Sequence, residues 1–301
     1  MLVYGFFVSA LLCASVVDAA PPPELVKRQA ITPLTAAQIS TFKPFTFFAS
    51  TAYCNPSNML AWNCGATCNA NADFMPVASG GDGSDVQFWY VGFSPSQKTV
   101  IVAHQGTDTS EMHAKPDATD VDVLLKPLNP TLFPGISSSI EAHSGFANEQ
   151  AKTATKILAA VRTAISAHSA TKVTIVGHSL GAALALLDSV YLPLHISGVT
   201  FRTVGYGMPR VGNQAFADYV DAHLSLTHIN NKKDPVPIIP GRFLGFHHPS
   251  GEVHIMESGS WVSCPGQDNT SKECTVGDVP NIFEGNTNDH HGPYDGVNMG
   301  C

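Results

Sequence analysis

Lys172-Val173-Thr174-Ile175-Val176-Gly177-His178-Ser179-Leu180-Gly181-Ala182-Ala183-Leu184-Ala185-Leu186-Leu187 decides the fold. Lys172–Val176 is a β-branched run that reads as a short strand, and the apolar run Ala182–Val190 reads as a helix. A strand that passes at once into a helix must turn sharply. Glycines on either side of Ser179 keep Cβ atoms from colliding with the neighbouring strand and helix. The Ser179 hydroxyl is thereby pushed into the open at a helix N-terminus, which is where a nucleophile is wanted. Gly-x-Ser-x-Gly alone is a weak pattern in a chain with 25 glycines. Its place on both boundaries makes it specific.

Working outward, Val86–Phe93 and Thr99–His104 flank the turn Ser94-Pro95-Ser96 and read as a hairpin. Ala154, Leu158, Val161 and Ile165 recur every three or four positions, so Phe146–His168 is expected to be an amphipathic helix. Downstream come a strand at Val199–Val204, a helix at Gln214–His223 and a strand at Leu226–Asn230. This alternation implies an α/β domain with a largely parallel central sheet covered by helices on both faces. Reactive groups in such a domain sit at the carboxyl ends of the strands.

The composition agrees. Of 301 residues, 44% are hydrophobic and 13% charged, which suits a large core and excludes a disordered, collagenous or coiled-coil chain. A net charge of -8 argues against a nucleic-acid partner. Leu2–Val17 is apolar and ends in Asp18-Ala19-Ala20 before three prolines, as a cleaved secretion signal over residues 1–20 would. No Lys or Arg precedes that apolar core. Lys27-Arg28 then closes an expected pro-segment at 21–28, leaving one secreted, extracellular domain over 29–301. Cys54, Cys64, Cys68, Cys264, Cys274 and Cys301 remain in it, an even set that reads as three disulfides. Zinc at Cys64-x3-Cys68 is not expected, because no second close pair with interleaved His follows. Asn269-Thr270-Ser271 is a glycosylation sequon and places that loop at the surface.

A serine nucleophile needs a general base, and the base needs an acid to hold its tautomer. In α/β-hydrolases the acid and then the base follow the serine in the chain. Asp234, in Asp234-Pro235-Val236-Pro237, lies just beyond the Leu226–Asn230 strand and so on a loop at a strand's carboxyl end. For the base, His247, His248, His254, His290 and His291 all qualify, and chain order does not choose among them.

These residues resemble the fungal class 3 lipase family, which also contains feruloyl esterases. The pieces are Val102-Ala103-His104-Gln105-Gly106-Thr107, His143-Ser144-Gly145-Phe146, the Ser179 elbow, Gly205-Tyr206-Gly207-Met208-Pro209-Arg210-Val211-Gly212-Asn213, Asp234-Pro235-Val236-Pro237 and Asp289-His290-His291-Gly292-Pro293-Tyr294. The resemblance implies an α/β-hydrolase fold and a secreted serine carboxylic-ester hydrolase. Acylglycerol is the first expected substrate and an aryl ester such as a feruloyl ester the second; a silent, lipase-like binding protein is a remote third. It implies Ser179 as nucleophile, Asp234 as acid and, through the terminal His-x-x-Tyr pattern with Tyr294, His291 as base with His290 in reserve. It also implies an oxyanion hole at Thr107 and Leu180, and the pairs Cys54–Cys301, Cys64–Cys68 and Cys264–Cys274. No metal or cofactor is expected, the chain is expected to be a monomer, and any contact with a lipid interface is expected to be transient.

One departure stands out. Many members of the family carry an aromatic residue and Arg before the oxyanion Gly, where this chain has His104 and Gln105. Gln105 cannot form the bidentate ion pair of an Arg, so the oxyanion loop must be supported differently. The departure resembles a branch that often prefers smaller acylglycerols. The family's lid falls at Asp108–Asp120, with Met112, Ala114 and Ala118 among charges and a proline. So polar a lid predicts weak interfacial activation. Leu124, Leu125, Leu128, Leu132 and Phe133 are expected either to line the acyl groove or to belong to the core.

Overall fold

In the computed structural model, Met1, residues 30–107 and residues 123–301 are described. The expectations for the leader (residues 1–28, apart from Met1) and for the lid at Asp108–Asp120 lie outside the described residues. The framework is a nine-stranded sheet of β1 (Thr32–Pro33), β2 (Met75–Gly80), β3 (Trp89–Ser94), β4 (Thr99–His104), β5 (Lys172–His178), β6 (Thr200–Tyr206), β7 (Leu226–Asn231), β8 (Glu252–Ile255) and β9 (Trp261–Cys264). Their spatial order is β1-β9-β8-β7-β6-β5-β4-β3-β2. The central run β4 to β8 is parallel, with Val102 beside Ile175 and Ile175 beside Thr203. The strands outside it are antiparallel, including the expected hairpin of β3 with β4.

Helices α1 (Lys43–Thr51), α2 (Ser144–His168) and α3 (Leu180–His195) pack on this sheet, and α4 (Gln214–His223) packs on the short strands Glu141–His143, Gly212–Asn213 and Phe246–His247. The two-residue period of β4 divides its side chains between faces. Val100 and Val102 join the core under α2 and α3, while Ile101 and Ala103 join the core under α1 with Phe45 and Phe48. Every residue from Gly181 to Leu192 is buried, because α3 packs on β4, β5 and β6 and has α2 along its flank. That position explains why its sequence is apolar on all sides.

Helix α2 begins two residues before the expected start. His143 caps it, its Nδ1 accepting from the amides of Gly145 at 3.1 Å and Phe146 at 3.4 Å. A second, four-stranded antiparallel sheet joins Leu125–Pro127, Glu141–His143, Gly212–Asn213 and Phe246–His247. Leu128 and Phe133 are core residues, Phe133 packing edge-on against Tyr191, whereas Leu124 is exposed. All three implied disulfides are formed: Cys54–Cys301, Cys64–Cys68 and Cys264–Cys274. The first joins the end of the chain to the segment just after α1, across 247 residues of sequence.

Candidate active site

Strand β5 ends at His178, α3 starts at Leu180, and Ser179 between them has φ 58° and ψ -129°. A side chain in that left-handed region costs about 1–3 kcal/mol of strain, and such strain gathers at functional sites. The flanking glycines are obligatory here. A Cβ on Gly177 would stand 2.1 Å from the Gly181 carbonyl oxygen, and one on Gly181 would stand 2.3 Å from the His104 carbonyl oxygen. The Ser179 amide donates to the Tyr206 carbonyl at 2.9 Å, which pins the elbow to the end of β6. The Leu180 N–H belongs to the first turn of α3, whose amides have no partner within the helix.

The chain leaving β4 lies directly on this elbow. A Cβ on Gly106 would be 2.5 Å from the His178 carbonyl oxygen and 2.9 Å from Ser179 Cβ. Thr107, half-buried, follows at once and so stands beside the nucleophile's turn. Gln105 supports this loop through Phe88. Its amide donates to the Phe88 carbonyl at 2.8 Å, and its Oε1 accepts from the Phe88 amide at 2.9 Å.

Asp234 is fully buried on the loop after β7. Its Oδ1 accepts from the Val236 amide at 2.9 Å, and its Oδ2 accepts from Nδ1 of His290 at 2.8 Å. The histidine on the carboxylate is therefore His290 and not His291, the first choice of the sequence reading. Both residues end the 3-10 turn Thr287–His291, which is docked on the acid loop. Asn231 Nδ2 donates to the Asp289 carbonyl at 2.9 Å, and the Asn286 amide donates to the Lys233 carbonyl at 2.7 Å. This docking turns His290 inward and leaves His291 half-buried beside it. Burial, then the neighbouring His290, lower the pKa of His291. The remaining candidates are engaged elsewhere: His247 faces Asp268, His248 Nε2 donates to the Pro237 carbonyl, and His254 lies between the carbonyls of Glu273 and Lys232.

The bond from His290 Nδ1 to Asp234 fixes the tautomer and leaves Nε2 as the proton acceptor. The carbonyl of His290 is held as well, by His178 Nε2 at 2.8 Å and by the Tyr294 hydroxyl at 3.1 Å. Burial pushes the His178 pKa well down, with the nearby His290 adding to the effect, so His178 is neutral. With Nε2 donating, its Nδ1 accepts the Tyr53 hydroxyl at 2.6 Å. Tyr53, His178 and Gly207 were not singled out from the sequence. Gly207 has φ 51°, and a Cβ there would lie 2.9 Å from both Asp234 Oδ2 and His290 Nδ1. The glycines of Gly205-Tyr206-Gly207 carried a signal, but one without a stated role.

Arg210, in the same motif, was also without a role. Its buried guanidinium donates through Nε to Asp268 at 2.8 Å and through Nη1 to the carbonyls of Ile238 and Pro240, the latter at 3.0 Å. It clamps the loop that begins at Asp234. Asn269, in the sequon, is half-buried and donates from Nδ2 to the Pro265 carbonyl at 2.8 Å.

A doubly covered, mainly parallel sheet with a strand-serine-helix elbow beside an Asp–His pair defines the α/β-hydrolases. Within that class, residues 101–244 match the class 3 lipase family. Two proteins of Malassezia globosa, both named as secreted mono- and diacylglycerol lipases, are 33% and 34% identical over 208 and 224 residues. These alignments cover 67% and 71% of this chain, and 66% and 69% of the two relatives. Among solved structures, lipase II from Rhizopus niveus superposes with a TM-score of 0.76 at 26% identity, covering 90% of this chain and 98% of that one. The chain belongs to the class 3 lipase family.

Proposed function

We propose that this chain is a secreted serine carboxylic-ester hydrolase that cleaves acylglycerols, mono- and diacylglycerols foremost, by acyl transfer through Ser179. The observation that carries this reading is the Asp234–His290 hydrogen bond beside the half-buried turn of Ser179. His290 Nε2 takes the Ser179 proton as Oγ attacks the ester carbonyl carbon. The Leu180 amide, with the amide and hydroxyl of Thr107, receives the negative charge that develops on the carbonyl oxygen. One such donor is worth about 3 kcal/mol in the transition state. As the tetrahedral centre collapses, His290 returns the proton to the leaving alcohol. A water then attacks the acyl-enzyme, gives its proton to His290, and Ser179 recovers it as the acid departs. Asp234 holds the ring through Nδ1 and stabilises the imidazolium.

The names of the relatives support acylglycerol over an aryl ester as substrate, and their description as secreted supports an extracellular enzyme. Among the described residues no helix is long and apolar enough to cross a membrane. A transient contact with a lipid surface is supported by Phe243 and Phe283, 89% and 92% exposed. Both lie on turns near the acid loop: Phe243 follows it after Pro240, and Gly285, two residues after Phe283, packs on Pro235. The further readings are cleavage after Arg28 and a glycan on Asn269, the latter supported by the exposed Thr270 of the sequon.

The test is an ester panel on the secreted protein, with methyl ferulate beside mono-, di- and triacylglycerols, together with Ser179→Ala. Hydrolysis of the smaller acylglycerols, abolished by Ser179→Ala in a folded protein, is expected. Retained turnover in that variant removes Ser179 from the nucleophile's role, and a preference for the ferulate reverses the substrate.

A further inference from the structure

Behind the oxyanion loop lies a second buried Asp–His contact that the acyl-transfer chemistry does not use. His104 Nε2 is 2.8 Å from Asp188 Oδ2, and Gln150 Nε2 donates to Asp188 Oδ1 at 2.8 Å. His104 and Asp188 are 1% and 0% exposed, and Gln150 is 0% exposed. The three residues belong to three different elements: the last position of β4, the third turn of α3 and the first part of α2. Around them the core is apolar, with Ala154, Leu184 and Leu187 nearby in the chain.

Stability does not require such a chain. Buried polar pairs carry desolvation penalties that their mutual contact only partly offsets, so apolar residues of similar volume often serve a core as well. What the three residues hold in place is more telling. His104 pairs across the sheet with Trp89 on one side and with Gly177 on the other. Its carbonyl faces the start of α3 at Gly181, and the next three residues are Gln105, Gly106 and Thr107. Asp188 stands on the helix that Ser179 begins. The His104–Asp188 contact therefore ties the strand that delivers the oxyanion threonine to the helix that delivers the nucleophile and the Leu180 amide. Gln105 braces the same loop from the other side through Phe88.

The geometry points to His104, Asp188 and Gln150 as a positioning chain that sets the separation of Thr107 from the Ser179–Leu180 turn. They act through the oxyanion loop and touch no substrate. This inference rests on the assignment of Thr107 and Leu180 as oxyanion donors. Donors displaced by a fraction of an ångström serve the ground state almost as well as before but no longer match the tetrahedral oxyanion. The effect belongs in kcat, and KM should be nearly untouched. Gln150 Oε1 is buried without a hydrogen-bond partner. An asparagine at 188 can therefore keep both bonds: its Oδ1 accepts from His104, and its Nδ2 donates to Oε1 once the Gln150 amide has turned over.

The experiment compares wild type, Asp188→Ala, Asp188→Asn and His104→Phe on a soluble short-chain ester. Active sites are counted by phosphonate labelling of Ser179, and each protein is also titrated with a trifluoromethyl ketone that adds reversibly to a serine. In Asp188→Ala and His104→Phe, kcat per labelled site is expected to fall about 10- to 100-fold with KM changed less than about threefold. Affinity for the ketone is expected to fall in parallel, and Asp188→Asn to stay within about threefold of wild type. Should Asp188→Ala not fold, His104→Phe, which installs an aromatic residue of similar bulk, carries the test. Wild-type kcat per labelled site in the folded variants overturns the proposal, as does an equal loss in Asp188→Asn. A wild-type protein that neither turns over the ester nor labels at Ser179 overturns the acyl-transfer reading instead.

Discussion

His290 Nδ1 and Asp234 Oδ2 are 2.8 Å apart, with the aspartate fully buried and the histidine nearly so. His291, the very next residue, makes no such bond to the acid among the described contacts, although the two rings lie 5.5 Å apart, centroid to centroid. One of two adjacent imidazoles is therefore oriented for proton transfer and the other is not.

That difference is measurable. His290→Ala is expected to lower kcat/KM at least about a thousandfold, as loss of the base does in a serine triad. His291→Ala is expected to stay within about tenfold of wild type. Kinetics on a soluble ester, normalised to folded protein, decide the matter, and the reverse ranking would return the base to His291.

Arg210 connects Asp268 to the backbone of the loop that starts at Asp234. Arg210→Ala leaves the buried Asp268 carboxylate without its cation, which costs about 3–5 kcal/mol. Arg210→Lys should recover little, since one ammonium cannot match a guanidinium fork that reaches a carboxylate and two carbonyls. Urea unfolding gives both values. A variant within about 1 kcal/mol of wild type would show the clamp to be dispensable.

Stability should fall as the medium is acidified from neutrality. His228 and His248 stack with ring centroids 4.9 Å apart, and burial is the first cause of the lowered pKa of each. For His228 the value falls from 6.5 to about 4. The unfolded chain therefore takes up protons first. The stability these residues contribute is complete above the unfolded value and is lost as pH falls through the interval down to the folded one. His228 alone accounts for about 2 kcal/mol between neutral pH and a pH about two units lower. Denaturant unfolding at the two pH values, repeated on His228→Phe, is expected to show a shallower loss in the variant.

Asp108–Asp120, the stretch expected to form a lid, is polar in sequence, whereas Phe243 and Phe283 are exposed on turns outside it. Activity on a short-chain triacylglycerol is therefore expected to rise smoothly through its solubility limit. Phe243→Ser and Phe283→Ser should lower the rate on emulsified diacylglycerol several-fold while the rate on a soluble ester holds. A sharp jump when droplets form contradicts the first expectation, and unchanged emulsion rates contradict the second.

Much of this protein is encoded locally, and local patterns are what a sequence displays. The β-branched run, the two glycines and the apolar helix around Ser179 specify strand, elbow and helix because each obeys a short-range rule of periodicity or steric exclusion. The parallel sheet follows from the alternation of such units, and Asp234 follows from its place just past a strand end. His290 and His291 lie beyond that reach. Consecutive side chains in a 3-10 turn point about 120° apart, so which of them faces the acid depends on how the turn docks. Asn231, Asp289, Lys233 and Asn286 settle that through contacts between segments more than fifty residues apart in the chain. The same holds for His104 with Asp188 and for Tyr53 with His178, separated by 84 and 125 residues. Their pairing arises where the sheet and its helices close over one another, and no periodicity along the chain records it.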